Sequence, residues 1–255
     1  FAQADTVNYA YNSRSEVTGA VAANDPAYDY GYIFDAIGNR TGSSLGQDTC
    51  QYTTNNLNQY TALSCLSPSP AYDADGNMTS MPSAAGTWTL TWDAENRLVR
   101  AEAGNLKVEY AYDYMSRRVQ KRVYAWQTDT WQLMADNRFL YDGFLLVARY
   151  DALDDNALAQ RFVWAGDRLA FVSGTGTETG TLHAVLQDGN RNAGQLAAAD
   201  GTLVARYDYS PFGELVLQAG PLAAGNPFRF SSEQWDDTLG LVYYNYRYYS
   251  PTLGR

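Results

Sequence analysis

Residues 88–96 read Trp-Thr-Leu-Thr-Trp-Asp-Ala-Glu-Asn, and this short stretch carries the pattern that decides the fold. Large apolar side chains at 88, 90 and 92 alternate with threonines, which predicts a strand with one buried face. Asp93 follows directly and can cap a turn by accepting backbone N–H groups. Asn96, three places later, tolerates the positive φ at the end of such a turn. The stretch therefore predicts a strand that enters a tight hairpin.

The same pattern recurs through the first half of the chain as an aromatic residue followed by Asp or Asn. Thr54 is the exception, since it stands where the other units have the aromatic residue. The Asp or Asn positions lie 23, 20, 18, 20 and 20 residues apart, a regularity that chance does not easily produce. These positions are Asn12, Asp35, Asn55, Asp73, Asp93 and Asp113.

A second position, three residues after each Asp or Asn, gives the repeat its physical meaning. Gly and Asn favour the positive φ that a type I turn with a G1 bulge requires. Serine at the first and last of these positions departs from that preference, so we expect those two turns to be weaker. The six residues are Ser15, Gly38, Asn58, Gly76, Asn96 and Ser116.

The repeat predicts an all-β fold of tandem hairpins. A unit of about 20 residues accommodates two strands of about 6–7 residues and two turns. A single hairpin is marginally stable, so neighbouring units should pair into one continuous sheet. Residues 1–130 hold the repeats, and residues 131–204 continue as less regular hairpins with a Gly/Thr-rich loop at 173–181 that we expect to be mobile. Residues 196–200 favour either a short helix or the end of a strand.

The composition excludes several classes of function. The net charge of -10 argues against a phosphate-binding surface, so we expect no nucleic-acid partner. The basic residues at 117, 118, 121 and 122 are interpreted as a solvated strand face. No apolar run reaches the roughly 18–20 residues of a membrane helix, and residues 1–10 do not resemble a signal peptide. Since the sequence does not begin with Met, we expect it to be an internal piece of a longer protein, with its targeting signal elsewhere.

Cys50 and Cys65 are the two cysteines of the chain. They lie fifteen residues apart in turn-rich sequence. They are compatible with a disulfide in an oxidising compartment or with two small buried thiols, and both alternatives stay open here. Two cysteines without a nearby histidine do not predict a zinc site.

The last quarter of the chain carries three ordered motifs. Residues 205–214 read Ala-Arg-Tyr-Asp-Tyr-Ser-Pro-Phe-Gly-Glu, and residues 226–231 read Asn-Pro-Phe-Arg-Phe-Ser. Residues 238–255 read Thr-Leu-Gly-Leu-Val-Tyr-Tyr-Asn-Tyr-Arg-Tyr-Tyr-Ser-Pro-Thr-Leu-Gly-Arg. Together they resemble the end of the core of bacterial Rhs (YD-repeat) proteins. The residues that carry the resemblance, called the signature residues below, are Tyr207, Asp208, Pro211, Phe212, Gly213, Arg229, Phe230, Gly240, Leu241, Tyr243, Tyr244, Arg247, Tyr248, Tyr249, Pro251, Gly254 and Arg255.

The resemblance implies a long β-sheet that spirals into a hollow, cocoon-like shell around a C-terminal toxin. Similar proteins include the shell components of insecticidal toxin complexes and the teneurins. It further implies a secreted or cell-surface bacterial protein whose partners are its own toxin domain or neighbouring shell segments. The self-cleavage segment of such proteins follows the core, and the sequence stops before it, so no self-cleavage residue is assigned. We expect the lumen face of the shell to be partly polar.

Candidate catalytic residues have weak support in the sequence, and we expect no enzyme activity. His183 is the one histidine, and its surroundings read as a strand without a nucleophile elbow, so we interpret it as a surface or lumen-facing residue. The adjacent carboxylates of Asp236 and Asp237, or of Asp154 and Asp155, would point to opposite faces of a strand or be solvated in a loop, unlike a glycosidase pair. No cofactor is expected.

Two further features have competing interpretations. Residues 73–77 and 188–190 superficially resemble calcium loops, but a turn already explains Asp73 and Gly76. The tyrosines at 243, 244, 246, 248 and 249 favour packing against a neighbouring coil, with Arg247 paired or stacked on the rings. The alternative is an exposed aromatic surface that binds glycans in an adhesion protein.

Overall fold

The computed structural model describes residues 6–83, 86–174 and 180–255. The chain divides into two compact units, Phe1–Leu90 and Thr91–Arg255. The boundary falls inside the segment predicted to hold the regular repeats. Residues 175–179, the centre of the predicted mobile loop, lie outside the described residues, so that expectation stays a prediction. No α-helix forms in the part of the chain that the structure describes.

The first unit is built from short antiparallel strands. Strands β1 to β6 form one sheet in chain order, and β7 and β8 form a hairpin. The hairpins β1–β2, β3–β4, β5–β6 and β7–β8 each shift their register by a β-bulge next to the turn, for example between Ile33 and Phe34 and between Thr53 and Thr54. The strands are β1 (Val7–Tyr11), β2 (Val17–Ala22), β3 (Tyr30–Phe34), β4 (Arg40–Leu45), β5 (Asp48–Thr54), β6 (Tyr60–Leu63), β7 (Ala71–Tyr72) and β8 (Met78–Ser83), followed by β9 (Gly86–Trp92), which carries the unit boundary.

A disulfide joins Cys50 in β5 to Cys65, just after β6. This bond decides between the two alternatives that the sequence left open. The half-cystine at position 50 is buried beside Tyr52 and Tyr60, whose ring centroids lie 5.1 Å apart. The bond closes a loop of fifteen residues around the turn between the two strands, so it reinforces a hairpin that hydrogen bonds already define.

The second unit contains a longer sheet in which β10 to β20 follow one another in chain order. A separate three-stranded sheet, β21 to β23, ends the chain. The strands are β10 (Leu98–Ala103), β11 (Leu106–Tyr112), β12 (Arg118–Gln127), β13 (Thr130–Asp142), β14 (Leu145–Asp151), β15 (Ala157–Ala165), β16 (Arg168–Ser173), β17 (Leu182–Gln187), β18 (Ala193–Ala197), β19 (Leu203–Tyr209), β20 (Leu215–Ala219), β21 (Gln234–Asp236), β22 (Leu241–Tyr244) and β23 (Arg247–Tyr249). The predicted all-β fold of tandem hairpins is confirmed.

The core of the second unit lies on one face of the long sheet. Phe162 on β15 pairs with Val172 on β16, which pairs with His183 on β17, and all three are buried. Phe228, from the segment before β21, packs on this face with its ring centroid 4.9 Å from that of Phe162. Because side chains alternate across a strand, the residues next to these in sequence point away from the core.

Residues 196–200 complete a strand and a turn. Leu196 is buried in β18, and the chain turns through Gly201, whose φ is 86° and whose N–H donates to the carbonyl of Ala198. The helical alternative for this stretch is therefore wrong. A strand and a turn form instead, because the short apolar run pairs its backbone groups in the sheet and the following Asp-Gly favours a turn.

Candidate functional site

The repeated turns share one geometry in both units. In each, the carbonyl of the Asp or Asn accepts the N–H three residues later, at 3.0–3.3 Å. The side-chain Oδ1 accepts two further N–H groups, two and four residues later; for Asp113 these come from Met115 and Arg117, at 2.9 and 3.0 Å. The φ values at the third position run from 58° to 91°, and Ser15 and Ser116 adopt the same conformation as Gly and Asn. The two turns with serine therefore make the same backbone hydrogen bond as the turns with Gly or Asn.

The carboxylates of the turns are engaged as acceptors of these hydrogen bonds. The side-chain amide that Asn39 donates lowers the pKa of Asp35, and that of Asn77 lowers the pKa of Asp73. Each amide donates a hydrogen bond to the carboxylate and so stabilises its ionised form. The repeated aspartates thus serve as turn caps.

The same turn also occurs where the sequence pattern is disguised, for example at Asp188 and at Ser210. The first begins at Asp188, whose Oδ1 accepts the N–H groups of Asn190 and Asn192, and it places Arg191 at a φ of 62°. The second begins at Ser210, whose carbonyl accepts the N–H of Gly213 at 2.9 Å. A bulky Arg at the positive-φ position and a Ser in place of Asp hide these turns.

A buried ion cluster is the main polar site of the second unit. Its members are Arg118 and Lys121 on β12 and Asp236 at the end of β21, which are 1%, 7% and 1% exposed. The carboxylate of Asp236 lies 2.8 Å from Arg118 Nη1 and 2.8 Å from Lys121 Nζ. The interpretation of the basic residues 117–122 as a solvated face is therefore wrong for these two. The counter-charge comes from more than a hundred residues away in sequence, so no local pattern announces it.

The other two basic residues of that stretch are less deeply buried. Arg117 pairs with Asp113 at 2.7 Å, and Arg122 lies 3.7 Å from a carboxylate oxygen of Glu109. Both remain partly accessible to solvent. Of the four cations, two are thus buried and two are partly accessible to solvent.

Tyrosines surround the ion cluster. The guanidinium carbon of Arg118 lies 4.4 Å from the ring centroid of Tyr243 and 5.2 Å from that of Tyr110. Tyr110 donates its hydroxyl to Asp236 at 2.7 Å, and the backbone N–H of Arg118 donates to the hydroxyl oxygen of Tyr243 at 2.8 Å. Arg118 Nη1 also donates to the hydroxyl oxygen of Tyr248 at 3.3 Å. Rings and hydroxyls therefore replace the water that the buried charges lose.

The electrostatics keep the acid ionised. Burial raises the pKa of Asp236, but Lys121 and Arg118 oppose it more strongly and bring that pKa down to about 2. Burial raises the pKa of Tyr110 well above its ordinary value, so this tyrosine stays a donor. At neutral pH the cluster therefore holds a carboxylate surrounded by donors. Its evident chemical role is to join β21–β23 to the strands that carry Tyr110 and Arg118.

The two aspartates interpreted as a solvated pair have different environments. Asp236 is enclosed, whereas the side chain of Asp237 is 79% exposed and lies 2.7 Å from Lys121 Nζ. Asp154 and Asp155 belong to the turn between β14 and β15, where Asp155 has a φ of 46°.

The signature residues fall into two groups. Tyr243 and Tyr248 contact the ion cluster. A second group packs around Gly213, where a Cβ would lie 2.5 Å from the ring of Phe230. The ring of Tyr249 stacks on that of Phe230, and its hydroxyl donates to the carbonyl of Phe212. Signature residues thus hold the chain end to the long sheet at two places.

The remaining signature residues support these contacts. Arg229 lies over the ring of Tyr207, whose hydroxyl donates to a backbone carbonyl, and Asp208 pairs with Arg206. The others, which are buried, at tight turns or at the surface, are Pro211, Gly240, Leu241, Tyr244, Arg247, Pro251, Gly254 and Arg255.

Two sequence interpretations of side chains need correction. Arg247 is exposed, and the cation over the tyrosine rings is instead Arg118. His183 is buried in the core, and its Nδ1 has no hydrogen-bond partner in the part of the chain described, so it is not a surface residue. The strand register explains this, because position 183 is directly opposite the buried Val172.

The fold of this chain is similar to that of a solved structure. The class of fold, an antiparallel sheet of tandem hairpins, is also that of the crystal structure of TcdB2-TccC3-TEV. The match has a TM-score of 0.51 at 16% identity and covers 98% of this chain and 17% of that chain. At this identity the likeness shows the fold alone. No family model matches the chain.

Two curated relatives are similar in sequence. The tRNA3(Ser)-specific nuclease WapA of Bacillus spizizenii is 28% identical over 233 residues, which is 88% of this chain and 9% of the relative. The double-stranded DNA deaminase toxin A of Burkholderia cenocepacia is 27% identical over 216 residues, 72% of this chain and 14% of the relative. The chain thus spans a small part of the length of these proteins. No helix in the described residues is long and apolar enough to cross a membrane.

Proposed function

We propose that this chain is part of the wall of an Rhs-type shell that encloses a toxin domain of the same secreted polypeptide. The observation that carries the proposal is the fold match to TcdB2-TccC3 over nearly the whole chain. The relatives with nuclease and deaminase names are many times longer than the matched segment, so we propose that activities of that kind belong to other parts of the polypeptide. The chain itself would act as a structural element and not as a catalyst.

The long sheet of the second unit has the two unlike faces that a wall requires. One face packs the core, as described above. On the other face, Val163 and Phe171 lie opposite each other on β15 and β16 and are exposed, and Leu182 and Leu186 on β17 extend this apolar surface. Clustered exposed apolar side chains mark a surface that contacts other polypeptide. We propose that this face looks toward the enclosed domain, which makes the lumen more apolar than the sequence led us to expect.

The buried ion cluster supports the proposal because it secures the chain end. A wall that retains a cargo needs its last strands fixed, since a free edge would open the sheet. Asp236 brings β21–β23 to β12 through two buried ion pairs. We propose that this anchor keeps β21–β23 fastened to the wall of the shell.

The test uses the complete parent protein with a protease-sensitive reporter domain placed after this segment. We expect the reporter to resist digestion in the parent protein, and to become digestible when Asp236→Asn loosens the anchor. Asp237→Asn is the matched control, because it removes an exposed charge at the neighbouring position. Equal digestion of the free reporter and of the fused reporter would contradict the shell function.

Glycan binding through the tyrosine cluster has less support. Tyr243 is buried against Arg118, and of the five tyrosines from 243 to 249 it is Tyr246 that is exposed, at 63%. The rings mainly serve packing within the unit. We therefore propose no glycan-binding role for this cluster.

A further inference from the structure

A cavity of about 230 Å³ lies in the second unit, beside the segment before β21. Its apolar wall consists of five aromatic rings together with Leu145 and Leu146. Pockets for drug-sized ligands usually measure about 300–1,000 Å³, so this cavity suits a single side chain or a small molecule. The rings belong to Tyr141, Phe144, Trp164, Phe228 and Tyr243.

Several polar groups of the lining are already engaged. Gln187 donates its side-chain amide to the hydroxyl of Ser232 at 2.7 Å. Arg191, the cation of the lining, pairs with Asp167 at 2.7 Å. These groups therefore have little capacity left to hold a ligand.

Glu233 differs from the rest of the lining. Its carboxylate has no hydrogen bond or ion pair to the part of the chain that the structure describes, although the side chain is only partly accessible. Burial raises the pKa of Glu233 to about 7. The other titratable groups near the cavity are the Arg191–Asp167 pair and the hydroxyls of Tyr141, Tyr243 and Tyr244. A partly accessible carboxylate without a donor from the protein can accept an incoming cation.

We propose that this cavity binds a primary alkylammonium group, with Glu233 as its counter-ion. The aromatic wall favours the same ligand, because ring faces attract cations and also cover the methylene groups of an alkyl chain. Two sources supply this chemistry: the side chain of a lysine in a bound polypeptide, and a free alkylamine. The site shares Tyr243 with the surroundings of the buried ion cluster but includes none of the cluster's charged groups, and it does not depend on the shell function.

Calorimetric titration of the 255-residue chain with n-butylammonium tests the proposal. We expect binding at pH 8, and at least tenfold weaker binding of n-butanol, which has a similar shape without the charge. Glu233→Gln should weaken n-butylammonium binding at least tenfold. Glu102→Gln, which removes a carboxylate on β10 outside the cavity, should leave the affinity unchanged.

The pH dependence supplies a second measurement. With a pKa of about 7, roughly one tenth of Glu233 is ionised at pH 6 and nine tenths at pH 8. The ligand keeps its charge throughout, since alkylamines titrate near pH 10. The affinity should therefore rise about tenfold from pH 6 to pH 8, and NMR should show the amine lowering the pKa of Glu233.

A short glycine peptide with one central lysine distinguishes the two sources. Tighter binding of the peptide than of n-butylammonium assigns the cavity to polypeptide, and the reverse order assigns it to a free amine. Equal affinity for n-butanol, or an unchanged affinity in Glu233→Gln with an unaltered circular dichroism spectrum, would overturn the proposal. So would a Glu233 pKa that the amine does not move.

Discussion

Replacing Asp236 with Asn tests the buried ion cluster directly. The substitution keeps the shape of the side chain but removes its charge, so Arg118 and Lys121 stay buried without their shared counter-ion. Breaking a buried ion pair from one side typically costs about 3–5 kcal/mol. We expect Asp236→Asn to lower the free energy of unfolding of the second unit by about this amount. Asp237→Asn should cost less than about 1 kcal/mol, because its side chain is largely exposed.

The pH dependence gives an independent estimate of the same interaction. The pKa of Asp236 falls from an ordinary 3.8 to about 2 in the folded chain, and one pKa unit corresponds to about 1.4 kcal/mol. Because the folded pKa is the lower one, this stabilisation is present above about pH 4 and is lost as the pH falls toward 2. It amounts to about 2.5 kcal/mol, the same order as the cost of the substitution.

The assay is urea unfolding followed by tryptophan fluorescence, since five of the six tryptophans, among them Trp235 next to Asp236, lie in the second unit. The protein and its Asp236→Asn variant should differ most at pH 7 and converge as the pH approaches 2. A triple variant in which Arg118, Lys121 and Asp236 become Met, Met and Leu should recover much of the lost stability, since no buried charge is then unpaired. A difference below 1 kcal/mol between the protein and Asp236→Asn at pH 7 would refute the reasoning.

Three other predictions concern the turns and the disulfide, and urea unfolding tests each of them. Gly213→Ala should cost about 2–4 kcal/mol because a new Cβ meets an aromatic ring at positive φ, whereas Gly201→Ala, with a similar φ and open space, should cost about 1–2 kcal/mol; equal losses would contradict the packing argument. Asp113→Ala removes acceptors for two backbone N–H groups and should cost about 1–2 kcal/mol, and an unchanged midpoint would show that the cap is dispensable. Replacing Cys50 and Cys65 by Ser should cost about 3 kcal/mol for the fifteen-residue loop, and reduction of the unmodified protein should produce the same shift.

The turns were predictable because their determinants are local. An Asp or Asn caps N–H groups no more than four residues away, and a neighbouring residue accepts positive φ, so both requirements are visible in a short window. The turn at Asp188 escaped detection for a local reason as well. Arg191 occupies the positive-φ position there, a conformation that a long side chain rarely adopts.

The buried ion cluster was not predictable, because its members come together through the tertiary fold. Arg118 and Asp236 are 118 residues apart. A basic stretch on a strand usually marks a solvated face, and only the arrival of an acid from elsewhere reverses that expectation. The same holds for His183, whose burial depends on the register of three strands and not on its neighbours in sequence.

The order of the strands has a consequence for how the second unit folds. From β10 to β20 each strand pairs with the strand before it, so every new pairing closes a short loop at small entropic cost. A chain that emerges gradually from a ribosome or an export channel can therefore add strands one at a time from its N-terminal end. Contact between Arg118 and Asp236 closes a far longer loop and has to wait until β21 has emerged. The slowest contacts to form are then those that fasten the end of the chain, and the sheet is already in place to receive them.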